Sequence, residues 1–329
     1  MRRLFRSSGD LVADRRYQHG LEFARSGDFA AAVELFEQTI DRAPTWPPAW
    51  FALARARLNH FDASGAVAAF RECLRHDPAD ALGAGLELAR LDGAATLDAA
   101  PAAYVAALFD AYAPGFDAAL VERLHYSAPT TLARLVRGLV SVGAPYWFAR
   151  ALDLGCGTGL VGEALRRDIG YLEGVDLAKG MIEVAQGKSV YDSLAQGDVL
   201  AHLLAREDRF NLILAADVFT YIGALERIFA ALAKRIAPGG LIALAVEKGG
   251  PEDWTIRESL RFAHSEAYLR RLADRHGFAV AALEETNLRK DRGADIIGLA
   301  MVLSVRRSTA ISEAFDSGPA PDAPSSFDS

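Results

Sequence analysis

The run Asp153-Leu154-Gly155-Cys156-Gly157-Thr158-Gly159 constrains the fold of this chain more than any other feature. A short apolar stretch, ALDLG, leads into it, and an amphipathic stretch, LVGEALRRD, leads out. It therefore reads as a strand, a glycine turn and a helix. Glycines let such a turn bend tightly and approach a ligand with no Cβ in the way. From about residue 149 the same alternation continues through YLEGVDL and AKGMIEVAQ. Further strands are predicted at 210–217, 241–247, 278–285 and 296–305, with helices near 222–235 and 265–276. Strands alternating with helices predict a parallel sheet covered on both faces. No helical pattern separates the last two strands, which predicts an antiparallel hairpin at the end of the sheet.

The glycine spacing argues about the ligand. Dinucleotide loops use G-x-G-x-x-G. Here Gly155, Gly157 and Gly159 follow G-x-G-x-G, and Leu160 stands where the other pattern needs glycine. Asp153 at the strand end would repel a pyrophosphate and attract an ammonium group. Asp176 ends the second strand, 17 residues after Gly159, where a carboxylate can accept from two ribose hydroxyls. Asp198, followed by Val199, comes after the third strand, and Asp217 closes the fourth. Each alone also reads as an ordinary helix N-cap. Four acids at successive strand ends point to one ligand crevice along the carboxyl edge of the sheet.

The front of the chain repeats itself. A shift of 34 residues lays Ala32, Phe36, Thr39 and Pro44 on Ala66, Phe70, Cys73 and Pro78. Small residues let antiparallel helices approach, an aromatic fills the groove between them, and proline ends the second helix. Gly20, Phe23 and Gly27 complete the first copy; Ala54 and Arg57 replace the first two of these in the second. A helix over about 79–92 would cap the stack. This pattern resembles tetratricopeptide repeats over about 13–80, the alternative being a plain helical bundle with an accidental period. At the other end, 308–329 carries three prolines and four acids with no Lys or Arg, and is expected to be disordered.

Composition narrows the function classes. The 329 residues carry a net charge of −7, which argues against a nucleic-acid binder. Two cysteines exclude a disulfide scaffold and point to a reducing, cytoplasmic setting. No uncharged apolar run reaches the roughly 18–20 residues that span a bilayer. MRRLFRSS is basic, but no apolar stretch follows it, so it does not read as a secretory signal.

Residues 149–247 resemble a class I S-adenosylmethionine-dependent methyltransferase: the Asp153–Gly159 run matches its cofactor loop, and Asp176, Asp198 and Asp217 match its later motifs. The likeness extends to about residue 306, and with the repeats it is to a bacterial methyltransferase family carrying tetratricopeptide repeats. It implies an α/β, Rossmann-like, seven-stranded domain with its last strand antiparallel, behind an all-α repeat domain. The expected organisation is repeats over 1–96, a helical lid and linker over 97–145, the methyltransferase domain over 146–307, and the tail. The implied cofactor is S-adenosylmethionine, with Asp153 near its methionine amino group, Asp176 at the ribose, and Asp198 with Val199 at the adenine. Gly155, Cys156, Gly157, Gly159, Leu177, Met181 and Asp217 complete the set implied around it. Phe109-Asp110-Ala111-Tyr112-Ala113-Pro114-Gly115-Phe116-Asp117 resembles a helical lid, placing Tyr112 and Phe116 over the methionine end; both also read as core aromatics of an amphipathic helix.

The implied reaction is in-line attack by an acceptor, a small molecule or a protein presented by the repeats, on the sulfonium methyl. A hydroxyl or protonated amine acceptor would need a base within hydrogen-bond reach. The candidates are His264, Tyr221, and His125 with Tyr126. Trp254, Arg257, Arg261, Arg289 and Lys290 could wall an acceptor pocket, with the arginines and lysine meeting an anion or simply facing solvent. Residues 217–220 are Asp-Val-Phe-Thr rather than the Asn/Asp-Pro-Pro-Tyr/Phe typical of base or glutamine amino methylation. No cysteine is placed for covalent attack on a pyrimidine, and no metal-ligand spacing occurs. The competing readings are a repeat-based adaptor whose cofactor domain catalyses nothing, and an NAD-dependent oxidoreductase, which the glycine spacing disfavours. The repeats are expected to serve a protein partner or self-association.

Overall fold

The structure is a computed structural model that describes residues 7–92, 97–113, 115–117, 126–139, 148–291 and 293–306. The expected tail and His125 lie outside the described residues. The chain begins with two helical hairpins, α1 (Leu11–Ser26) with α2 (Phe29–Arg42), and α3 (Pro47–Asn59) with α4 (Ala63–His76). α2 and α4 are offset by the same 34 residues as the sequence repeat. Asp10, Asp28 and Asp62 cap α1, α2 and α4 by accepting from backbone N–H groups of the first turn. Phe36 and Phe70 are buried between the helices with Ala32, Ala66, Thr39 and Cys73. A Cβ on Gly20 would lie 2.6 Å from the Phe36 ring, so the missing side chain is what admits the aromatic. Phe23, in contrast, is 41% exposed and fills no groove. α5 (Ala84–Asp92) completes the helical region, its backbone held by buried Asp80, which accepts from Ala84 and Gly85.

α6 (Ala102–Tyr112) and α7 (Ala128–Gly138) lead into a sheet of nine strands, not the expected seven. β1 (Phe148–Leu154), β2 (Ile169–Asp176), β3 (Ser193–Gln196), β4 (Phe210–Ala216) and β5 (Ile236–Lys248) are parallel, in the order β3-β2-β1-β4-β5. β9 (Ala294–Val305) runs antiparallel beside β5, and β8 (Phe278–Asp291) pairs with β9. These seven form the predicted sheet and hairpin. The other two, β6 (Trp254–Ile256) and β7 (Phe262–His264), have three residues each, too short for any periodic signal. They exist because β5 outruns β4. β4 leaves the ladder at Ala216↔Ala245, and β7 takes the same edge of β5 at Glu247↔Ala263, since β9 occupies the other. The β6–β7 hairpin therefore stands over the carboxyl end of β4.

Alternation along the strands builds two cores. Leu152, Ile213, Leu244 and Val246 face α10 (Val199–Leu204), α11 (Glu226–Arg235) and α12 (Glu266–Arg275). Ala151, Leu212, Leu214 and Ala243 face α7 and α8 (Leu160–Leu165). α7 thus covers the sheet, although the sequence grouped it with the linker. α9 (Lys179–Lys188) carries α6: Asp110 accepts from the Gly180 N–H at 2.8 Å, and Ala113 packs on buried Met181. The segment before α6 is stitched to the turn after β4. Ala100 donates to the Tyr221 carbonyl at 2.8 Å, and Gly223 and Ala224 donate to the Asp98 carbonyl. Leu86 of α5 joins Tyr104, Val105, Tyr221 and Phe262 in one apolar cluster, linking the helical region to this end of the sheet.

Candidate active site

A cavity of about 350 Å³ opens at the carboxyl ends of β1–β4, beneath residues 98–116. Its lining brings together Gly155, Cys156, Gly157, Asp176, Leu177, Asp198, Val199, Asp217, Tyr221 and Phe116, residues collected from the ends of four strands and from the segment above them.

The glycine loop is held for two different reasons. Gly155 has φ +65°, and a Cβ there would strike the Val218 side chain at 2.5 Å. Gly157 has φ +53°, and a Cβ there would meet nothing within 4 Å, so its backbone faces open space. Gly159 is packed by Tyr191. Asp176 accepts from the N–H of Gly157 at 2.9 Å and of Ala178 at 2.8 Å, so it shapes the loop as well as lining the cavity. Burial raises its carboxyl above the usual range. Asp198 uses one oxygen to cap α10, accepting from Ala201 at 2.8 Å, and still lines the cavity.

Asp153 lies deeper and does not line the cavity. It is 1% exposed; Tyr191 donates to its Oδ2 at 2.7 Å, and Oδ1 has no partner. Burial pushes this carboxyl up to about 7, against the pull of the Tyr191 hydroxyl and with a small push from Asp176. An unpartnered buried carboxylate oxygen is costly unless a cation or donor meets it. Cys156 is buried, its thiol pushed well up by desolvation, and its N–H is tied to the Val175 carbonyl. It serves packing and loop shape.

Several expected site residues are elsewhere. His264 is fully buried outside the cavity; its Nε2 lies 2.9 and 3.1 Å from the Ile222 and Gly223 carbonyls, and its ring stacks on Tyr268. Nε2 must donate to those carbonyls, and burial pushes the ring down to about 4. His264 is therefore not the expected base but a structural fastener of the turn after β4. Met181 is core beneath α6 and does not reach the cavity. Tyr112 is 40% exposed and is not part of the cavity lining, whereas Phe109 is. Phe109 stacks edge-on against both Phe116 and Tyr221, with centroids 6.1 and 5.3 Å apart. Asp117 accepts from Thr158 of the glycine loop and pairs with Lys188 at 2.6 Å, tying the lid down. The alternation of apolar and acidic residues in Phe109–Asp117 carried this signal.

Asp217, expected against the cofactor, is bound from behind. Arg289 Nη1 donates to its two oxygens at 2.9 and 2.8 Å, and Arg289 Nη2 bonds Glu247. Arg289 and Glu247 are both buried, so Arg289 is no solvated acceptor contact. Sequence reasoning missed Glu247, which reads as the last residue of an apolar strand, whereas Tyr126, named with His125 as a candidate, lines the cavity with its phenol pushed well up by burial. Tyr221 also lines the cavity and accepts from Arg261 Nε at 3.1 Å. Trp254 packs on Phe262 and Gly223 rather than entering the cavity. Among the described residues no cluster of His, Cys, Asp and Glu is arranged to hold a metal, and no helix is long and apolar enough to cross a membrane.

The strand order with its antiparallel β9, the glycine loop after β1 and the acids after β2, β3 and β4 define a Rossmann-like fold of the methyltransferase type. Comparison with known proteins agrees at the level of the domain: residues 151–240 match the family described as "Methyltransferase domain". The chain is similar to a ubiquinone biosynthesis O-methyltransferase of Bartonella bacilliformis, with 27% identity over 34% of this chain and 46% of that protein. It is similar also to a malonyl-[acyl-carrier protein] O-methyltransferase of Geobacter sulfurreducens, with 34% identity over 30% of this chain and 38% of that one. The chain thus spans about half or less of the length of these curated relatives. A solved N-methyltransferase, NodS of Bradyrhizobium japonicum, is 20% identical, covering 54% of this chain and 86% of its own, with a TM-score of 0.43.

Proposed function

We propose that this chain is an S-adenosylmethionine-dependent methyltransferase acting on a small molecule. The observation that carries the reading is the buried Asp153 carboxylate with one unpartnered oxygen, directly below a glycine loop whose central residue opens on empty space. That pair suits a ligand with a cationic amino-acid end and is hostile to a diphosphate. Asp176 and Asp198, at the next two strand ends, supply acceptors for hydroxyl and amino groups of a nucleoside. When bound, the cofactor would supply an already activated methyl group on a sulfonium.

The chain's own task is then alignment and exclusion of water. Phe109, Phe116 and Leu177 give the cavity an apolar wall, and Asp110 and Asp117 fix the lid that carries the two aromatics. Tyr221, a residue of the cavity wall, carries a hydroxyl that can hold or pass a proton of the acceptor. His264 has no such access. The two front hairpins are read as tetratricopeptide-like repeats, on the strength of their 34-residue offset and the matching burial of Phe36 and Phe70, and as the place where a protein partner or second copy would dock. Both cysteines are free, which fits a cytoplasmic protein. The test is calorimetry with S-adenosylhomocysteine and with NAD, using Asp153→Ala as control, followed by untargeted mass spectrometry for a methylated product. Binding of the nucleoside alone, lost in the variant, is expected; tight binding of NAD alone would refute the assignment.

A further inference from the structure

The cofactor accounts for one half of the crevice, and the far wall bears on the acceptor. The glycine loop, Asp176 and Asp198 follow β1, β2 and β3, so the nucleoside half lies on that side of the sheet edge. The other half, above β4, is walled by Asp217, Val218, Tyr221 and Ile222, and the β6–β7 hairpin packs behind that wall, with Trp254 and Phe262 against Gly223 and Arg261 against Tyr221. There two carboxylates, the half-buried Asp217 and the buried Glu247, meet three guanidiniums. Arg289 spends both terminal nitrogens on the two acids and is sealed from solvent. Arg257 has Nε 3.2 Å from Glu247 Oε2 and donates to the Lys248 carbonyl. Arg261 is different. Its Nε donates to Tyr221 Oη, while Nη1 stands 3.9 Å from Glu247 and neither terminal nitrogen makes a hydrogen bond among the described residues. The side chain keeps 26% exposure, so the fork is recessed yet open. The cluster carries one positive charge more than its carboxylates neutralise.

We propose that Arg261 anchors a carboxylate of the methyl acceptor, making the substrate a small organic acid. The proposal rests on the methyltransferase reading. An open guanidinium fork matches a carboxylate in two parallel hydrogen bonds. One surplus charge suits a monoanion better than a phosphate dianion. Arg261 stands behind the cavity wall, but its Nε partner Tyr221 is part of that wall, so an acid held by the fork would lie beside Tyr221 at the rim of the crevice. A cationic acceptor would be repelled, and a neutral one would leave the fork unmatched.

Saturation-transfer NMR tests this on the full chain, with and without S-adenosylhomocysteine. The probes are benzoate, phenylacetate and hexanoate, each paired with its neutral amide. The acids are expected to bind in preference to the amides, and Arg261→Gln to weaken them about tenfold or more while the nucleoside's affinity stays unchanged. Arg261→Lys, which keeps the charge without the fork, should fall between. Equal response of acids and amides, or acid binding that survives Arg261→Gln, overturns the proposal. Loss of nucleoside affinity in Arg261→Gln overturns it too, since the fork would then hold the cofactor's own carboxylate. If the nucleoside fails to bind the unaltered protein while acid binding still depends on Arg261, the methyltransferase reading falls and the acid site stands.

Discussion

Replacing Asp153 by Asn should stabilise the cofactor-free protein at neutral and alkaline pH. The carboxyl titrates at 3.8 when exposed and at about 7 in the fold, because desolvation disfavours its charge. Between those values the folded state holds a proton that the unfolded chain has released. The contribution of Asp153 is therefore neutral below about pH 4 and increasingly unfavourable as pH rises to 7, where the buried group ionises. Three units at about 1.4 kcal/mol each set a ceiling of about 4 kcal/mol, and relaxation of the interior brings the expected gain to about 2 kcal/mol. Asparagine matches the carboxyl in shape and keeps an oxygen for the Tyr191 hydroxyl, so packing is preserved. Urea unfolding followed by circular dichroism should give similar stability for the two proteins near pH 3 and a more stable variant at pH 8. The same variant should lose S-adenosylhomocysteine binding. Parallel stability curves across this range would refute the buried-charge argument, and a variant that binds the nucleoside as well as the parent would refute its functional half.

The two loop glycines should separate fold from ligand. Gly155→Ala strikes Val218 as well as taking an unfavourable φ, so it should cost about 3 kcal/mol of stability, read from urea unfolding. Gly157→Ala meets open space, so it should cost only about 1 kcal/mol yet abolish nucleoside binding in calorimetry. His264→Asn should lower stability by about 2 kcal/mol through loss of its carbonyl contacts and of its stack on Tyr268. With its ring held near 4, His264 adds stability above pH 6.5 that is lost as pH falls toward 4, and a pH–rate profile should show no histidine inflection near neutrality. Phe70→Ala should cost about 3–5 kcal/mol in unfolding of the helical region, with nucleoside affinity unchanged.

Short-range pattern in the sequence carried much of the architecture. Short apolar runs located β1, β2, β4, β5, β8 and β9, the 34-residue offset matched α2 to α4, and glycine with aspartate after the strands marked the edge where the cavity lies. The strand and loop features depend on neighbours within a turn or a pleat, and the repeat on a fixed offset along the chain, so all of them are legible in the sequence. What only the tertiary structure decided depends on partners far apart in the chain. Asp217 meets Arg289 across 72 residues because a bulge between Asn287 and Arg289 breaks the alternation of β8, burying Leu288 and Arg289 in succession. Ser127 secures that bulge by donating to the carbonyls of Asn287 and Leu288, and Gly298 leaves room for Leu288. The β6–β7 hairpin likewise forms only because β5 extends past β4, and its placement turns His264 inward and leaves the Arg261 fork open. Helix and strand propensity is local, whereas the partner of a buried charge is fixed by register and packing, which no stretch of sequence states by itself.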